Sequence, residues 1–415
     1  RGSKLYDAAQ SLSTSQRLQA QANIGVASEL SPQAFGAEAD GATNDLAAIN
    51  DMAAYIGIED CTAEIVGTLA SNSGLLLPQN SVVAGRGTSK AIIKRLTAGT
   101  FLSSADATGA RLSGITFDLN RAGIGDAGGH GLNLQGSDIV IEDCIVRGYS
   151  TRVSDGAGGG TGILVGGATR PANIRLRNSE FYPDQPGSPA TTVGWLFDKT
   201  DTSFAHGLYA YGVTQGIGYA HELKNDSKHN NLWGLISEYS NVCVAFGQEG
   251  GTGPSYNIAG NILAKSTDKA FSAGFATGNL INGLLHDQTD RPTNVLPAAI
   301  ELLGGASRNA IFAAAVHGTG ANAALVTGDE NYIELANFST GTAIRINAGS
   351  KRNVFHVPHP GERTSILGAV NDLSGNVRGT ADGNVIYSPA TGEYMGSLSG
   401  RFHFQLKPSG AAFIN

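Results

Sequence analysis

The sequence predicts an all-β chain wound into a parallel β-helix, a solenoid of short strands, with a helix at its N-terminal end. Two observations in its 415 residues predict this class. From about residue 60 onward, apolar residues alternate over runs of four to six residues, separated by Gly, Asn, Asp and Ser, as strands and turns do. Asparagines also recur ahead of apolar runs at Asn279, Asn309, Asn331 and Asn353, at intervals of 30, 22 and 22 residues.

The repeat of about 22 residues favours a stack of coils over a β-sandwich. A unit of about 22 residues cannot bury its own apolar face, whereas stacked copies bury a continuous core. Asparagine suits the corners because it tolerates left-handed backbone angles, and like residues can form a ladder from coil to coil. We therefore predict coils that pair in parallel at about 4.8 Å. The alternative, a β-sandwich, fits poorly with the 22-residue intervals and the scarcity of Asn-Gly hairpin turns.

Two helix signals precede the coils. In residues 5–27, Ser13 or Thr14 can cap a run of good helix formers that stops at the Asn-Ile-Gly turn of residues 23–25. This segment predicts one short helix that ends in a turn.

A second helix is predicted over residues 43–56. Thr43 or Asn44 can cap it, and its apolar residues, Ile49 and Met52 among them, share one face. Because the end of a solenoid exposes an apolar core, terminal repeats need a cap. We predict that this helix closes the N-terminal end of the coil stack.

The C-terminal composition changes after Asn376, where hairpin-like strands alternate with turns at Ser388-Pro389 and Pro408-Ser409. This change predicts a separate cap or oligomer-forming element. The predicted organisation has four parts: residues 1–30, a helix and linker in which residues 1–3 look like an expression scar; 31–60, the entry to the β-helix with its capping helix; 61–375, the parallel β-helix; and 376–415, a C-terminal β cap or trimerisation element.

Charge and composition exclude several classes of protein. The net charge is −7, the isoelectric point is near 5.7, and Lys and Arg form no runs, so the electrostatic signature of a nucleic-acid-binding protein is missing. No stretch of about 18 apolar residues and no secretion signal occurs. We expect a soluble protein that binds neither nucleic acid nor membrane.

The cysteines and histidines predict no disulfide framework and no cofactor. Cys61, Cys144 and Cys243 lie far apart, without the spacing of a metal site, and predict buried free thiols in a chain that folds in a reducing compartment. His356 and His359 lack further ligands in the sequence. We therefore expect neither a metal nor another cofactor.

Two motifs carry a resemblance to a known family. Residues 35–50, FGAEADGATNDLAAIN, resemble the entry motif of the right-handed β-helices of the pectate-lyase-like superfamily, although position 44 is Asn where that family often has Asp. Residues 12–26, LSTSQRLQAQANIGV, are similar to the short helix ending in Asn-Ile-Gly that precedes the receptor-binding part of bacteriophage tail fibres and tailspikes. Together with the 22-residue coils, the motifs identify the chain as resembling a tailspike.

This resemblance implies a partner set and a location. It implies a homotrimer in the virion tail that binds, and usually cleaves, a bacterial surface polysaccharide. It implies attachment to the phage baseplate or tail through an N-terminal part that is missing here, and folding in the host cytoplasm. Symmetric association also suits a solenoid with a long exposed face. Tailspike catalytic residues differ from one protein to the next, so the resemblance supplies no catalytic motif.

Aligning the coils on their Asn or Asp anchors predicts a carboxylate pair. Glu180 and Glu238 each lie seven residues after an anchor, Asn173 and Asn231 respectively, and so fall in one column, two coils apart. Their backbones would then lie roughly 9.6 Å from each other. This is near the roughly 6.5–9.5 Å between the acid and base of an inverting glycosidase. Aromatic residues nearby can stack on sugar rings, and the sugar-binding candidates are Tyr182, Tyr211, Tyr239 and Trp233. The alternative is that the glutamates line a wet outer face and the aromatics stack inside the coils.

A second candidate lies in the loop that follows His286. His286 and Asp287 can provide acid and base chemistry, and Asp290 and Arg291 can bind substrate or neutralise a uronate. The alternative is a solvated loop with local ion pairs.

Three functions follow for a tailspike-like chain. The preferred one is endo-glycoside hydrolysis of capsule, exopolysaccharide or O-antigen by a carboxylate pair. The others are a lyase acting by β-elimination on a uronate polymer, and a non-catalytic receptor-binding fibre or adhesin. A secreted cellular pectinase is disfavoured by the absent signal and the Asn-Ile-Gly helix.

Overall fold

The computed structural model describes most of the chain between residues 30 and 346 and shorter segments outside it. The described residues are 16, 30–59, 62–124, 129–149, 160–166, 170–183, 192–212, 217–247, 252–288, 298–318, 322–339, 342–346, 350, 353–359, 385–388, 393–398, 402–406 and 412–414.

Parallel strands form the walls of a solenoid of about nine turns, which confirms the predicted fold class. In the described part of the chain the strands fall into a sheet of ten and a sheet of 22. Each strand of the smaller sheet pairs in parallel with its counterpart in the next coil. Its strands are Leu102–Ser104, Leu132–Leu134, Thr161–Val165, Val193–Asp198, Ile217–Lys224, Ser240–Gly247, Lys269–Ala273, Ile300–Leu302, Asn322–Val326 and Thr342–Ile346.

The larger sheet forms the remaining walls of the coils. Its pairings are parallel up to Val385–Ser388, and the strands after it pair antiparallel. In chain order its strands are Asp40–Asn44, Thr62–Ile65, Gly67–Ser71, Val82–Gly85, Ala91–Arg95, Arg111–Ser113, Thr116–Asp118, Val140–Glu142, Ile145–Tyr149, Arg175–Arg177, Glu180–Pro183, Phe204–Tyr211, Asn231–Glu238, Ile258–Lys265, Leu280–Asp287, Ala310–Gly318, Tyr332–Ser339, Val354–His359, Val385–Ser388, Glu393–Leu398, Phe402–Leu406 and Ala412–Ile414. The boundaries predicted for the four parts of the chain stay predictions.

Eight-residue strands arise where two walls of the solenoid merge. Arg175–Arg177 and Glu180–Pro183 are separate strands, whereas Phe204–Tyr211 in the next coil pairs with both. In Phe204–Tyr211 a bend replaces the break between the two shorter strands. The residue at this point has left-handed backbone angles in both coils: Asn178 (φ 45°) lies in the break and Gly207 (φ 64°) lies in the bend. Glycine and asparagine adopt this conformation more readily than other residues do.

The helix predicted to cap the solenoid spans Leu46–Glu59 and begins after Asn44, whose Oδ1 accepts a hydrogen bond from the Leu46 amide at 3.3 Å. Ile49 and Met52 are 5% and 1% exposed and line a small apolar space together with residues of the first coils, such as Leu75. The helix therefore covers the N-terminal end of the stack.

Two further short helices lie in the described residues, a 3-10 helix at Pro32–Phe35 and one turn at Arg121–Ile124. The helix predicted within residues 5–27 lies outside the described residues except for Gln16, which is helical. No described helix has the length and apolar character needed to cross a bilayer.

The core consists of the inward side chains of both sheets. Its fully buried aromatic residues are Phe101, Phe117, Tyr149, Phe181, Trp195, Phe197, Phe246 and Phe271. Cys144 and Cys243 are buried free thiols, as predicted, and burial raises the pKa of Cys144 to about 12 and that of Cys243 further still. Cys61 lies outside the described residues.

A ladder of six buried asparagines runs along one corner of the solenoid. Each side-chain amide donates to the Oδ1 of the next, at 2.9–3.1 Å, through Asn230, Asn257, Asn279, Asn309, Asn331 and Asn353. This confirms the predicted asparagine ladder. The anchors chosen in two other coils were wrong, however, because Asn173 lies one residue before the ladder position, in the left-handed conformation (φ 56°), and Asn231 lies one residue after it.

Candidate functional site

The C-terminal ends of the long strands carry a cluster of outward-facing tyrosines. Tyr209 and Tyr211 alternate with the buried Ala210 at the end of Phe204–Tyr211, so both rings face outward. In the preceding coil Tyr182 lies next to the last residue of the strand Glu180–Pro183, whose Phe181 faces the core. The period of two thus brings aromatic rings from adjacent coils onto one surface.

The rings contact one another in a continuous array. The Tyr182 centroid lies 6.0 Å from that of Tyr209 and 6.3 Å from that of Tyr211. Tyr209 and Tyr211 lie 6.3 Å apart and are stacked, and Tyr239 meets Tyr211 edge to face at 5.6 Å. These four rings are called the tyrosine cluster below. Three of its members were predicted from the sequence.

Tyr209 was missed, although a sequence signal exists for it. It lies two residues before Tyr211 in an alternating strand, a spacing that places both rings on one face. Burial raises the pKa of Tyr209 to about 12, and the negative charges of Glu238 and Glu180 act in the same direction. The hydroxyl of Tyr209 therefore lies within the electrostatic field of both predicted glutamates and stays protonated at neutral pH.

The register of the two glutamates differs from the predicted one. Glu180 pairs with Tyr209 of the next coil, which in turn pairs with Ile236 of the coil after it. The residue two coils from Glu180 in the same column is therefore Ile236, and Glu238 lies two residues further along that strand, opposite Tyr211. The two carboxylates are thus two coils apart, as predicted, but are offset by two residues along the strand. This offset follows from the wrong anchors at Asn173 and Asn231, and it places the Cα atoms roughly 12 Å apart.

The glutamates lie at opposite edges of the tyrosine cluster. The hydroxyl of Tyr182 donates a hydrogen bond to Oε2 of Glu180 at 2.5 Å. Burial and the Glu180 carboxylate raise the pKa of Tyr182, so this donor keeps its proton. At the other edge, Lys265 Nζ lies 3.9 Å from Oε2 of Glu238. The arrangement combines two carboxylates, proton-bearing hydroxyls, an ammonium group and aromatic faces.

Trp233 lies apart from the tyrosine cluster, although the sequence predicted that it binds sugar together with the tyrosines. It occupies the same strand as Glu238 but precedes the bend at Gly234, and its ring lies over Gly260 of the next coil. A Cβ at Gly260 would come within 2.2 Å of the indole, so the glycine makes room for the ring.

His286 is in the core and not on the surface. It is 2% exposed, and its Nε2 lies 2.7 Å from the backbone oxygen of Thr267. The left-handed Gly283 (φ 73°) interrupts the alternation of the strand, so the buried residues are Ile281, Leu284 and His286. Burial lowers the pKa of His286 to about 4. The predicted catalytic role of His286 is incompatible with this position, because a sugar chain cannot reach the ring.

Asp287 faces outward in register with Lys265 and His317 of the adjacent coils. It continues the outward column that contains Tyr211 and Glu238. The predicted substrate-binding residues Asp290 and Arg291 lie outside the described residues. Within the described residues, no group of three His, Cys, Asp or Glu side chains is placed to hold a metal ion.

Comparison with known proteins supports the resemblance to tailspikes. No family model matches the chain. It is similar to the tail spike protein of Escherichia virus K5, with 26% identity over 406 residues, which cover 92% of this chain and 61% of the relative. The resemblance to phage tailspikes is thereby confirmed. The chain spans about three fifths of the length of that relative.

Solved structures share the fold. The N-terminal fragment of gene product 12 of bacteriophage phi29 matches with a TM-score of 0.56 and 15% identity, over 92% of this chain and 72% of the fragment. The A-module of a mannuronan C-5 epimerase of Azotobacter vinelandii matches with a TM-score of 0.52 and 16% identity, over 87% of this chain and all of the module. At these identities the likeness shows the fold alone.

Proposed function

We propose that this chain is the part of a phage tailspike that recognises and depolymerises a bacterial surface polysaccharide. The observation that carries the proposal is the tyrosine cluster between Glu180 and Glu238 on the outside of the solenoid. Aromatic faces stack on sugar rings, and carboxylates and hydroxyls can bind and cleave glycosidic bonds. The similarity to a tail spike protein over most of the chain supports this function and a location in the virion tail.

Endo-glycoside hydrolysis is the preferred reaction. The Tyr182 hydroxyl donates a hydrogen bond to Glu180 and so orients its carboxylate, which suits a base that activates water. Glu238 is then the acid that protonates the leaving oxygen, across the gap in which Tyr209 lies. The wide separation of the two glutamates leaves room for a water molecule and favours inversion over a covalent intermediate.

One contact supports elimination as a second candidate. Lys265 Nζ lies 3.9 Å from Oε2 of Glu238, so a cationic side chain borders the tyrosine cluster. In a lyase the same ammonium would neutralise the carboxylate of a uronate, so that a base can remove the proton on the adjacent carbon. The leaving oxygen then departs with its electron pair, takes up a proton and leaves a carbon–carbon double bond.

Purified surface polysaccharides distinguish these reactions. The chain is incubated with capsular polysaccharide, exopolysaccharide and O-antigen from a panel of Escherichia strains, and fragment size and ultraviolet absorbance are followed together. Shortened chains without new absorbance support hydrolysis, and shortened chains that absorb support elimination. A polymer that is bound but keeps its length supports an adhesin and overturns the proposed cleavage.

We also propose that three copies assemble through one outward face. At the start of the long strands one register position carries the exposed apolar residues Phe204, Ile258 and Val354, which are 44%, 41% and 41% exposed. These residues, with Leu280 and Tyr332 of the same column, are called the apolar strip below; the column also holds Ala310 and the polar Asn231. The strip runs roughly 29 Å along the axis. A symmetric trimer with parallel axes would remove it from water.

A further inference from the structure

Two exposed aromatic residues at the asparagine-ladder corner adopt an unfavourable backbone conformation. Tyr256 (φ 56°) and Phe275 (φ 55°) are left-handed, and their side chains are 60% and 54% exposed. For bulky residues this conformation costs about 1–2 kcal/mol, and the corner imposes it at the position of Tyr256 in other coils too, as at Thr202 (φ 46°) and Arg308 (φ 56°). Burial does not offset that cost here, because both rings face solvent.

Glycines in the next coil make room for both rings. A Cβ at Gly278 would lie 3.0 Å from the Tyr256 ring, and a Cβ at Gly305 would lie 2.4 Å from the Phe275 ring. Each ring therefore rests against the backbone of the following coil. Tyr256 and Phe275 lie one coil apart and three positions apart along the corner, and both are exposed on its outside.

Hydrogen-bonding and charged groups border the rings. His229 stacks against Tyr256, with centroids 6.0 Å apart and an interplanar angle of 13°, and its Nδ1 lies 3.0 Å from Asp201 Oδ1. In the other direction along the axis, Arg308 forms an ion pair with Glu330 at 2.8 Å and lies within electrostatic range of the Tyr256 hydroxyl. His229, Tyr256, Phe275 and Arg308 are called the aromatic corner below.

The aromatic corner is distinct from the tyrosine cluster. It precedes the long strand of each coil, whereas the tyrosine cluster lies at the opposite end of that strand. Eight strand residues separate the two, which corresponds to roughly 20–25 Å when the bend is taken into account.

We propose that the aromatic corner is a second, non-catalytic binding site for the surface polysaccharide, and this rests on the function proposed above. Exposed ring faces beside charged donors and acceptors match a pyranose chain, whose C–H faces stack on aromatic rings while its hydroxyl groups form hydrogen bonds. The aromatic corner borders the apolar strip, because Tyr256 lies two residues before Ile258. The charged residues of both signs around its rings are typical of the solvent-accessible rim of a subunit contact and not of its core, so the rings stay available to a sugar chain. A second site on the same polymer raises the local substrate concentration at the tyrosine cluster.

The test replaces Tyr256 by glycine, the residue that adopts its left-handed backbone angles most readily. Tyr256→Gly removes the ring and relieves the backbone strain, so the chain folds and its melting temperature stays the same or rises. Thr202→Gly is the matched control, because the exposed Thr202 occupies the same corner position two coils earlier with φ 46° and carries no ring. Both changes are made in a Glu238→Gln background, and binding to intact Escherichia capsular polysaccharides is measured by biolayer interferometry, with sedimentation velocity in parallel.

We expect Tyr256→Gly to weaken binding to the intact polymer about tenfold and Thr202→Gly to leave it unchanged. Equal affinity in the two variants would overturn the inference and leave the proposed function standing. A Tyr256→Gly variant that changes its sedimentation would also overturn it, in favour of a subunit contact. If the parent chain binds no polysaccharide of the panel, the proposed function fails together with the inference.

Discussion

The indole N–H of Trp195 donates a hydrogen bond to Nδ1 of His221, at 2.7 Å, inside the coil stack. The other ring nitrogen of His221, Nε2, lies 3.1 Å from the backbone oxygen of Ile236. Nδ1 accepts and Nε2 donates, so both nitrogens are satisfied by a neutral imidazole. Complete burial lowers the pKa of His221 to about 4, as it does for His286.

The two buried histidines predict acid sensitivity. Their pKa values in the folded protein lie below the ordinary value of 6.5, so the unfolded chain binds more protons between pH 6.5 and about 4. Their contribution to the free energy of unfolding is complete above about pH 6.5 and is lost as the pH falls toward 4. Each shift corresponds to roughly 3 kcal/mol at most. Thermal unfolding between pH 4.5 and 7.5 measures the effect.

His221→Gln provides the control for this pH dependence. The glutamine amide can accept from Trp195 and donate to Ile236 without titrating, so the variant should lose about half of the histidine-linked slope. A slope identical to that of the parent chain would mean that His221 is not the titrating group.

The asparagine ladder predicts a large loss of stability from one buried amide. Asn279 donates to Asn309 and Pro254 and accepts two hydrogen bonds from Asn257, all between 2.9 and 3.1 Å. Asn279→Ala leaves buried groups on both neighbouring coils without partners, so we expect the free energy of unfolding to fall by about 2–4 kcal/mol. Asn282→Ala, at an exposed position of the same coil, should cost less than about 0.5 kcal/mol. Denaturant unfolding compares the two, and equal effects would contradict the prediction.

The sequence predicts the ladder and the fold for the same physical reason. A 22-residue interval between Asn309, Asn331 and Asn353 can persist only where each coil stacks on the next, so the interval itself contains the tertiary information. The capping helix is likewise predictable, because its apolar face and the polar residues ahead of it are local features. Its N-cap position is Asp45, whose carbonyl accepts from the Ile49 amide, one residue after the predicted Asn44.

The positions of the site residues are less predictable, because they depend on the exact register. Asn173 and Asn231 each lie one residue from the ladder position, in opposite directions. An alignment on these two residues therefore places Glu180 and Glu238 in one column, although they differ by two positions along the strand. His286 was misplaced for a related reason, since the left-handed Gly283 shifts the alternation so that His286 faces inward. A φ angle above zero cannot be read from one glycine, because glycine adopts both signs.

Glu238→Gln should abolish cleavage and leave polysaccharide binding and folding largely intact. The amide keeps the shape of the side chain but cannot donate a proton to the leaving oxygen, so we expect turnover to fall at least 100-fold. Fragment release from the cleaved polysaccharide measures it, and Glu142→Gln, on the strand Val140–Glu142 of an earlier coil, is the control. Unchanged turnover in Glu238→Gln would remove Glu238 from the catalytic residues.

Tyr209→Phe should slow cleavage by a factor that does not depend on pH. The pKa of Tyr209 is raised to about 12, so its hydroxyl stays protonated across the working range and acts as a hydrogen-bond donor. We expect a loss of about 10- to 100-fold, the effect of removing one donor to a developing charge. Initial rates from pH 5 to 9 measure it, with Tyr55→Phe in the capping helix as the control. A rate ratio that changes with pH would show that the hydroxyl titrates during the reaction.

Ile258→Lys should disrupt the proposed trimer. Ile258 lies in the middle of the apolar strip and is 41% exposed, so lysine is tolerated by the folded single chain but would place three charges in the contact between chains. We expect sedimentation velocity to show trimers for the parent chain and single chains for the variant, with unchanged circular dichroism. Leu76→Lys, at a 54% exposed residue outside the strip, should leave the trimer intact. A variant that stays trimeric would place the contact on another face, and a parent chain that sediments as a single chain would refute the assembly itself.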